Sequence, residues 1–255
     1  MGGPVVDILM YHSISHSGGP TSIAPEVFAD QMAAIAEAGV PVIRLDDLLA
    51  ARQGRATLPQ QSVILTFDDG FQDFADCAFP VLRRHGFASI VYLPTAHVGR
   101  SESWWGANDP ARPLIGWETV RDLAGAGVDF GSHTVSHPDL CSLPQPAMEA
   151  ELTRSRRVLE DRLGRAVDHF APPYGRATAA IRTEIARRYG TSVGTRLARA
   201  RPDSDLHDLP RLEMFYFTGP RAWRLHLRNM GGPYLAGRRT LRGIRNAVSK
   251  PWDRT

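Results

Sequence analysis

Short apolar runs alternate with amphipathic stretches along most of the chain. Runs of strand length occur at Val5–Tyr11, Val40–Ile43, Ser62–Phe67, Ala88–Leu93, Val128–Gly131, His169–Ala171, Thr191–Val193 and Leu209–Met214. Between them lie segments with apolar residues at helical spacing, Pro25–Ala38, Phe71–Arg84, Trp117–Ala126, Gln145–Leu163 and Ala177–Arg188. Strand followed by helix, repeated, predicts an α/β fold with a parallel sheet, either wound into a barrel or laid open. In both cases the strands' C-terminal ends form the functional face. Polar candidates fall at those ends: His12 after the first run, Asp68 and Asp69 after the third, His133 after the fifth and Tyr174 after the sixth. Residues 95–113, with Trp104, Trp105 and Asn108, have neither period and are read as a long loop on that face.

Composition adds bounds. At 255 residues with 43% hydrophobic and 22% charged positions, one globular catalytic domain is the default. No run of about 18 apolar residues is present, and the first residues lack the basic and apolar pattern of a secretion signal, so the expected location is cytoplasmic. Cys77 and Cys141 have no Cys-x-x-Cys spacing and are expected as buried free thiols. Charge is split. Residues 219–255 carry nine Arg or Lys against one acid, whereas residues 1–218 carry 21 against 26. The division expected is therefore a catalytic body over 1–218 and a basic helical tail over 219–255. In the tail, Trp223, Leu227 and Met230 form one apolar stripe beside arginines, and Leu241, Ile244 and Val248 form a second beside Arg238, Arg242 and Arg245. Such helices can lie on an anionic membrane surface or pack on the body. An acidic body without a recognition motif argues against nucleic acid.

Two motifs carry candidate chemistry. In Leu65-Thr-Phe-Asp-Asp-Gly-Phe71, adjacent carboxylates end an apolar strand. Neighbouring side chains on an extended backbone point apart, so one can bind a metal while the other faces water beside it. The simpler alternative is a turn with a capping Asp. In His133-Thr-Val-Ser-His137, histidines at i and i+4 would share one side of a helical turn, within reach of one ion. One carboxylate and two imidazoles leave coordination positions open, and suit Zn²⁺, Co²⁺, Ni²⁺ or Fe²⁺. Iron oxygenases use a similar set, but a second adjacent carboxylate favours hydrolysis.

The sequence resembles the polysaccharide deacetylase family, also called carbohydrate esterase family 4 or the nodulation-type chitooligosaccharide deacetylase homology domain. Thr66-Phe-Asp-Asp-Gly70 matches its first motif, His133-Thr-Val-Ser-His-Pro138 its second and Pro173-Tyr-Gly175 the end of its third, in the family's order. The resemblance implies a distorted (β/α)7-type barrel in a single domain and a divalent metal, zinc first and cobalt or nickel as alternatives. It also implies hydrolysis of N- or O-acetyl groups on sugars. It casts Asp68 as general base, Asp69, His133 and His137 as metal ligands, and the Tyr174 N–H as an oxyanion donor. Two departures follow. The family's third motif begins with an Arg that orients the base, and Ala171 stands there; Arg211 is the candidate replacement. The C-terminal Leu-x-His that supplies the acid is missing, and His226 in a helical, Arg-rich segment is a poor substitute. His12, at the end of the first strand, resembles the acid of the circularly permuted poly-N-acetylglucosamine deacetylase branch. The substrate expected is an N-acetylated saccharide, glycolipid or glycosylated metabolite. The competing readings are a hydrolase of cyclic imides or other small amides, and a carbohydrate-binding pseudoenzyme.

Overall fold

The computed structural model describes residues 3–104 and 111–248. Seven parallel strands close into a barrel: β1 Val5–Tyr11, β2 Gln61–Phe67, β3 Ile90–Leu93, β4 Asp129–Ser132, β5 His169–Phe170, β6 Thr191–Leu197 and β7 Leu209–Glu213. Each pairs with the next, and β7 returns to β1 through Leu9 opposite Leu212. The helices are α1 Pro25–Glu37, α2 Leu45–Arg52, α3 Phe79–His85, α4 Trp117–Gly125, α5 Gln145–Leu163, α6 Ala179–Ala186, α7 Pro220–Leu227 and α8 Gly232–Val248. The expected barrel in one domain is what forms. Among the described residues no helix is long and apolar enough to cross a membrane.

Strand parity sorts the core into two layers. Val6, Ile8, Ile64, Ile90, Tyr92, Val193 and Leu209 meet in one buried cluster that fills the barrel. Their chain neighbours Leu9, Val63, Leu65 and Val91 belong to the second cluster, with Phe130 of β4 and Phe28, Met32, Val120 and Leu152 of the helices. The same alternation, continued past the strands' C-terminal ends, brings the side chains of His12, Asp68 and His133 to the rim, and Arg211 into the interior below them. The site is thus an extension of the pleat.

Three expectations are corrected. Val40–Ile43 is not a strand: only Val42 bridges Val63, on the stretch of β2 below the point where β3 begins pairing at Thr66. The Asp47 carboxylate then accepts from the Arg44 N–H and starts α2, which the apolar pattern did not reveal. The helix expected over Phe71–Arg84 forms, but not as one regular α-helix: a π-helical turn, Phe74–Ala78, interrupts it ahead of α3. Pro80 has no N–H for the Asp76 carbonyl, which relaxes the ladder there. Cys77 is half-buried and Cys141 exposed, so the free thiols are not core residues.

In the tail, α7 takes the second of its two expected arrangements and packs on the body. Trp223 and Leu227 do not face outward; both are buried in the main core, and the Trp223 Nε1–H donates to the Gln31 carbonyl at 3.1 Å. Arg224 reaches both oxygens of Asp30 at 2.8 Å, tying α7 to α1. Met230 alone of that stripe stays exposed. On α8, Leu241 and Ile244 are exposed, whereas Arg238 lies over the rings of Tyr216 and Tyr234. The side chains of Arg245 and Val248 lie outside the described residues, as do Trp105 and Asn108. Of the remaining histidines, His226 is buried 3.2 Å from Asp7, and His169 sits between Thr191 and Asp46, both in structural roles.

Candidate active site

Asp68 continues the inward face of β2. Asp69 then takes a left-handed backbone (φ 72°), as does Gly70 (φ 72°), so the two neighbouring carboxylates leave in different directions. Gly70 is required on two counts, because a Cβ there would also lie 2.4 Å from the Leu93 side chain. Left-handed φ in non-glycine residues is costly, and among the described residues it occurs at Asp69, Thr134, His137, Tyr174 and Asn229. Four of these five line or flank one cavity, the usual location of stored backbone strain.

His133 follows β4, its N–H still bonded to the Leu93 carbonyl at 3.0 Å. The helical turn expected to carry His133 and His137 is absent. Instead the chain bends, with Thr134 (φ 70°) and His137 (φ 59°) left-handed and the His137 N–H donating to Thr134 Oγ1 at 3.1 Å. Glu151 of α5 holds the bend by accepting from the backbone N–H groups of Val135 and Ser136, at 2.7 and 3.0 Å.

These turns bring three ligands to one point. His133 Nε2 and His137 Nε2 lie 3.4 and 3.3 Å from the same Asp69 oxygen, and one donor atom from each residue falls within 4.8 Å of the others. Donors about 2.1 Å from a tetrahedral cation stand about 3.4 Å apart, so the set has the right size. The tautomer supports it. His133 Nδ1 is 2.6 Å from the Ala171 carbonyl, which can only accept; Nδ1 therefore carries the proton, and in the neutral ring Nε2 offers a bare lone pair to a carboxylate. Two electron-rich groups facing each other in a buried site fit a cation between them.

Asp68 is held by Arg211, which reaches across from β7. Its Nη1 and Nη2 donate to the two Asp68 oxygens at 2.7 Å each, Nη1 also reaches Thr66 Oγ1 at 3.1 Å, and Nε donates to the Gly194 carbonyl at 2.8 Å. Burial works to raise the Asp68 pKa, but the Arg211 charge and its hydrogen bonds, with His12, outweigh it and hold the carboxyl below its ordinary value. At Asp69 burial is likewise outweighed, by His133 and His137, and the pKa falls well below the ordinary value. Both carboxylates are therefore ionised at neutral pH. Burial also opposes charge on the imidazoles: it prevails at His137, whose pKa falls, whereas the facing carboxylates raise that of His133.

His12 Nε2 lies 3.8 Å from Asp68 Oδ2. The turn after it is fixed by Asp73, which accepts from Ser13 Oγ at 2.5 Å and the Ile14 N–H at 2.9 Å. Tyr174 has φ 60° in a tight turn, and its ring meets that of His137 at 5.0 Å. The following Gly175 is obligatory, since a Cβ there would fall 2.2 Å from Thr195. His12, Asp68, Asp69, His133, His137 and Tyr174 all line one cavity of about 560 Å³. Ala171 is fully buried beneath this rim, and Arg211 occupies the neighbouring interior. Trp104 closes one side, stacked on His137 at 4.1 Å. Sequence reasoning did not assign Glu151 or Asp73, which fix loops from 15 or more residues away and leave no local signal.

Residues 55–194 match the family model for polysaccharide deacetylase. The chain is 23% identical over 223 residues to the poly-beta-1,6-N-acetyl-D-glucosamine N-deacetylase of Staphylococcus epidermidis, covering 82% of this chain and 73% of that protein. It is 28% identical over 125 residues to the Escherichia coli enzyme of the same name, covering 44% of this chain but only 18% of that one. In structure it resembles IcaB from Ammonifex degensii, with a TM-score of 0.75 and 22% identity over 91% of this chain and 99% of that one.

Proposed function

Because the chain belongs to the polysaccharide deacetylase family, we propose that it hydrolyses the N-acetyl amide of an amino sugar in a saccharide or glycoconjugate, using Asp69, His133 and His137 to hold a divalent cation. The observation that carries this reading is the pairing of two sites in one cavity: the nitrogens of His133 and His137 converging on Asp69, and beside them a second carboxylate kept ionised by Arg211. Zinc is the first choice for the ion, and the donor set also accepts cobalt or nickel. When bound, the cation would supply Lewis acidity, making water more acidic and polarising the acetyl carbonyl.

The residues divide the proton work. Asp68, ionised and immobilised by two hydrogen bonds, accepts the proton of the attacking water. The Tyr174 N–H donates to the developing oxyanion, a role worth several kcal/mol where a donor is preorganised in a site that excludes water. An amide nitrogen leaves only when protonated, and His12, 3.8 Å from Asp68, is placed to give that proton. The products are acetate and a free amine. A cavity of about 560 Å³ open to solvent supports a sugar ring over the small closed pocket that a cyclic-imide hydrolase would favour. Retention of all the polar groups in one place speaks against a pseudoenzyme.

The test is acetate release from N-acetylglucosamine and its oligomers, with and without a chelator. Chelator-sensitive release, restored by zinc, is the expected result; release unaffected by metal removal and readdition contradicts the assignment of the ligands.

A further inference from the structure

A second cavity of about 430 Å³ opens next to the first, between β6, the start of α6 and α8. The two share Gly175, Thr195 and Arg242 in their walls, so the second begins where the Tyr174 turn ends. Its walls carry Arg182, Arg196, Arg239 and Arg242 against the single carboxylate of Asp208. Burial raises the Asp208 pKa, against the pull of Arg182 and Arg196. Exposed arginines on a surface are ordinarily just solvated. Arg242 borders both cavities: it makes a long ion pair of 3.9 Å with Glu213 of the first, and its buried Nη1 has no hydrogen-bond partner among the described residues. Four guanidinium groups facing one carboxylate, one of them held only by a long ion pair, make a cleft with an excess of positive charge, the setting in which an anion is bound.

From this geometry we propose that the cleft binds a phosphoryl group carried by the amino-sugar substrate. The inference rests on the deacetylase reading for the identity of the sugar. Guanidinium forks match phosphate oxygens bidentately. On a 2-acetamido sugar the acetamide and a 1-phosphate sit on adjacent carbons, so a substrate whose amide lies over Asp68 carries its phosphate into the neighbouring space. The shared chemistry is a sugar 1-phosphate ester, whether its other end is free, nucleotidyl or lipid.

The experiment uses the full chain and the variant Arg196→Gln/Arg239→Gln, both of whose substituted side chains are exposed. Acetate release is compared for N-acetylglucosamine, N-acetylglucosamine 1-phosphate, a uridine diphosphate N-acetyl sugar and a polyprenyl diphosphate N-acetyl sugar in micelles. Binding of inorganic pyrophosphate is measured by calorimetry. The expected result is a preference in kcat/KM of roughly tenfold or more for phosphorylated over neutral sugar, weakening with salt, and a variant in which that ratio falls by about tenfold. Which phosphorylated arm is fastest identifies the source. Equal kcat/KM for phosphorylated and neutral sugars, or a ratio unchanged in the variant, overturns the proposal. Pyrophosphate binding lost in the variant, with no acetate released from any sugar, upholds the cleft and refutes the deacetylase reading. Release from neutral sugars without pyrophosphate binding does the reverse.

Discussion

Replacing Arg211 tests how the base is prepared. The guanidinium is buried and makes two 2.7 Å bonds to a carboxylate that is itself buried. Removing one partner of such a pair costs about 3–5 kcal/mol, because the other charge stays desolvated and alone. Against a typical domain stability of about 5–15 kcal/mol, Arg211→Leu is expected to fold poorly, so it cannot isolate the catalytic effect. Arg211→Lys can. It keeps the charge and loses the fork, forfeiting at least one charge-assisted hydrogen bond worth about 1.5–3 kcal/mol, or roughly 10- to 150-fold in rate if the bond is needed in the transition state. The sign with pH follows from the depressed Asp68 pKa. In the native chain Asp68 is ionised above that lowered value, so if it is the base, activity is expected to fall as pH drops through it. Weakening Arg211 lets burial raise the pKa, so the acidic limb of kcat/KM moves toward neutral pH while the ligands Asp69, His133 and His137 still hold metal. The assay is a pH profile of acetate release, with metal content measured alongside. An acidic limb that does not move, with kcat/KM within about twofold of the native value, would refute the claim that Arg211 prepares the base.

The other predictions concern separate links. Asp68→Asn is expected to retain metal and lose turnover, whereas His133→Ala loses both; equal metal content in the two variants contradicts the division of roles. Asp73→Ala releases the Ser13 and Ile14 contacts that fix the turn after His12, and should lower kcat by about tenfold or more with metal content unchanged; a native kcat shows that His12 needs no such support. Hydrogen bonding from Arg224 lowers the Asp30 pKa, so its contribution is present above the ordinary Asp range and fades as pH falls through the lowered value. Both groups are partly exposed, so Asp30→Asn should cost no more than about 1 kcal/mol in urea unfolding at neutral pH, and the gap should close in acid. A gap independent of pH assigns the effect to packing.

The parts of this molecule legible in its sequence are those governed by local period. Alternation in β1 and β2 announces which residues fill the barrel and continues unbroken to Asp68, so the rim positions follow from counting in twos. What counting cannot supply is backbone sign. Asp69 and His137 reach the ion position only because their φ is positive, a state that a sequence advertises for Gly and conceals for Asp and His. Short apolar runs were ambiguous for another reason: Val40–Ile43 has strand length but finds room for one bridge beside Val63. The stripe of Trp223 and Leu227 was ambiguous as well, since an amphipathic helix reads the same whether its apolar face meets lipid or a barrel. Only the Asp30 and Gln31 contacts, some 190 positions away, decide it.

Closure of the barrel also explains how the two departures from the family pattern leave a coherent site. In a linear sheet, the first and last strands would be the furthest apart. Here β7 lies against β1, with Met10 opposite Glu213, and β1 lies against β2 along its whole length. His12 from the first strand and Arg211 from the last therefore approach Asp68 from the same side, through a chain separation of nearly 200 residues that costs nothing in space. An Arg at position 171 would approach from β5, on the opposite wall, where the small Ala171 leaves the barrel axis open and Arg211 fills it. Arg211 lies fully buried in that interior, its Nε on the Gly194 carbonyl and both Nη atoms on Asp68. On the proposed reading the base needs donors at both of its oxygens, and in this chain β7 supplies the two together.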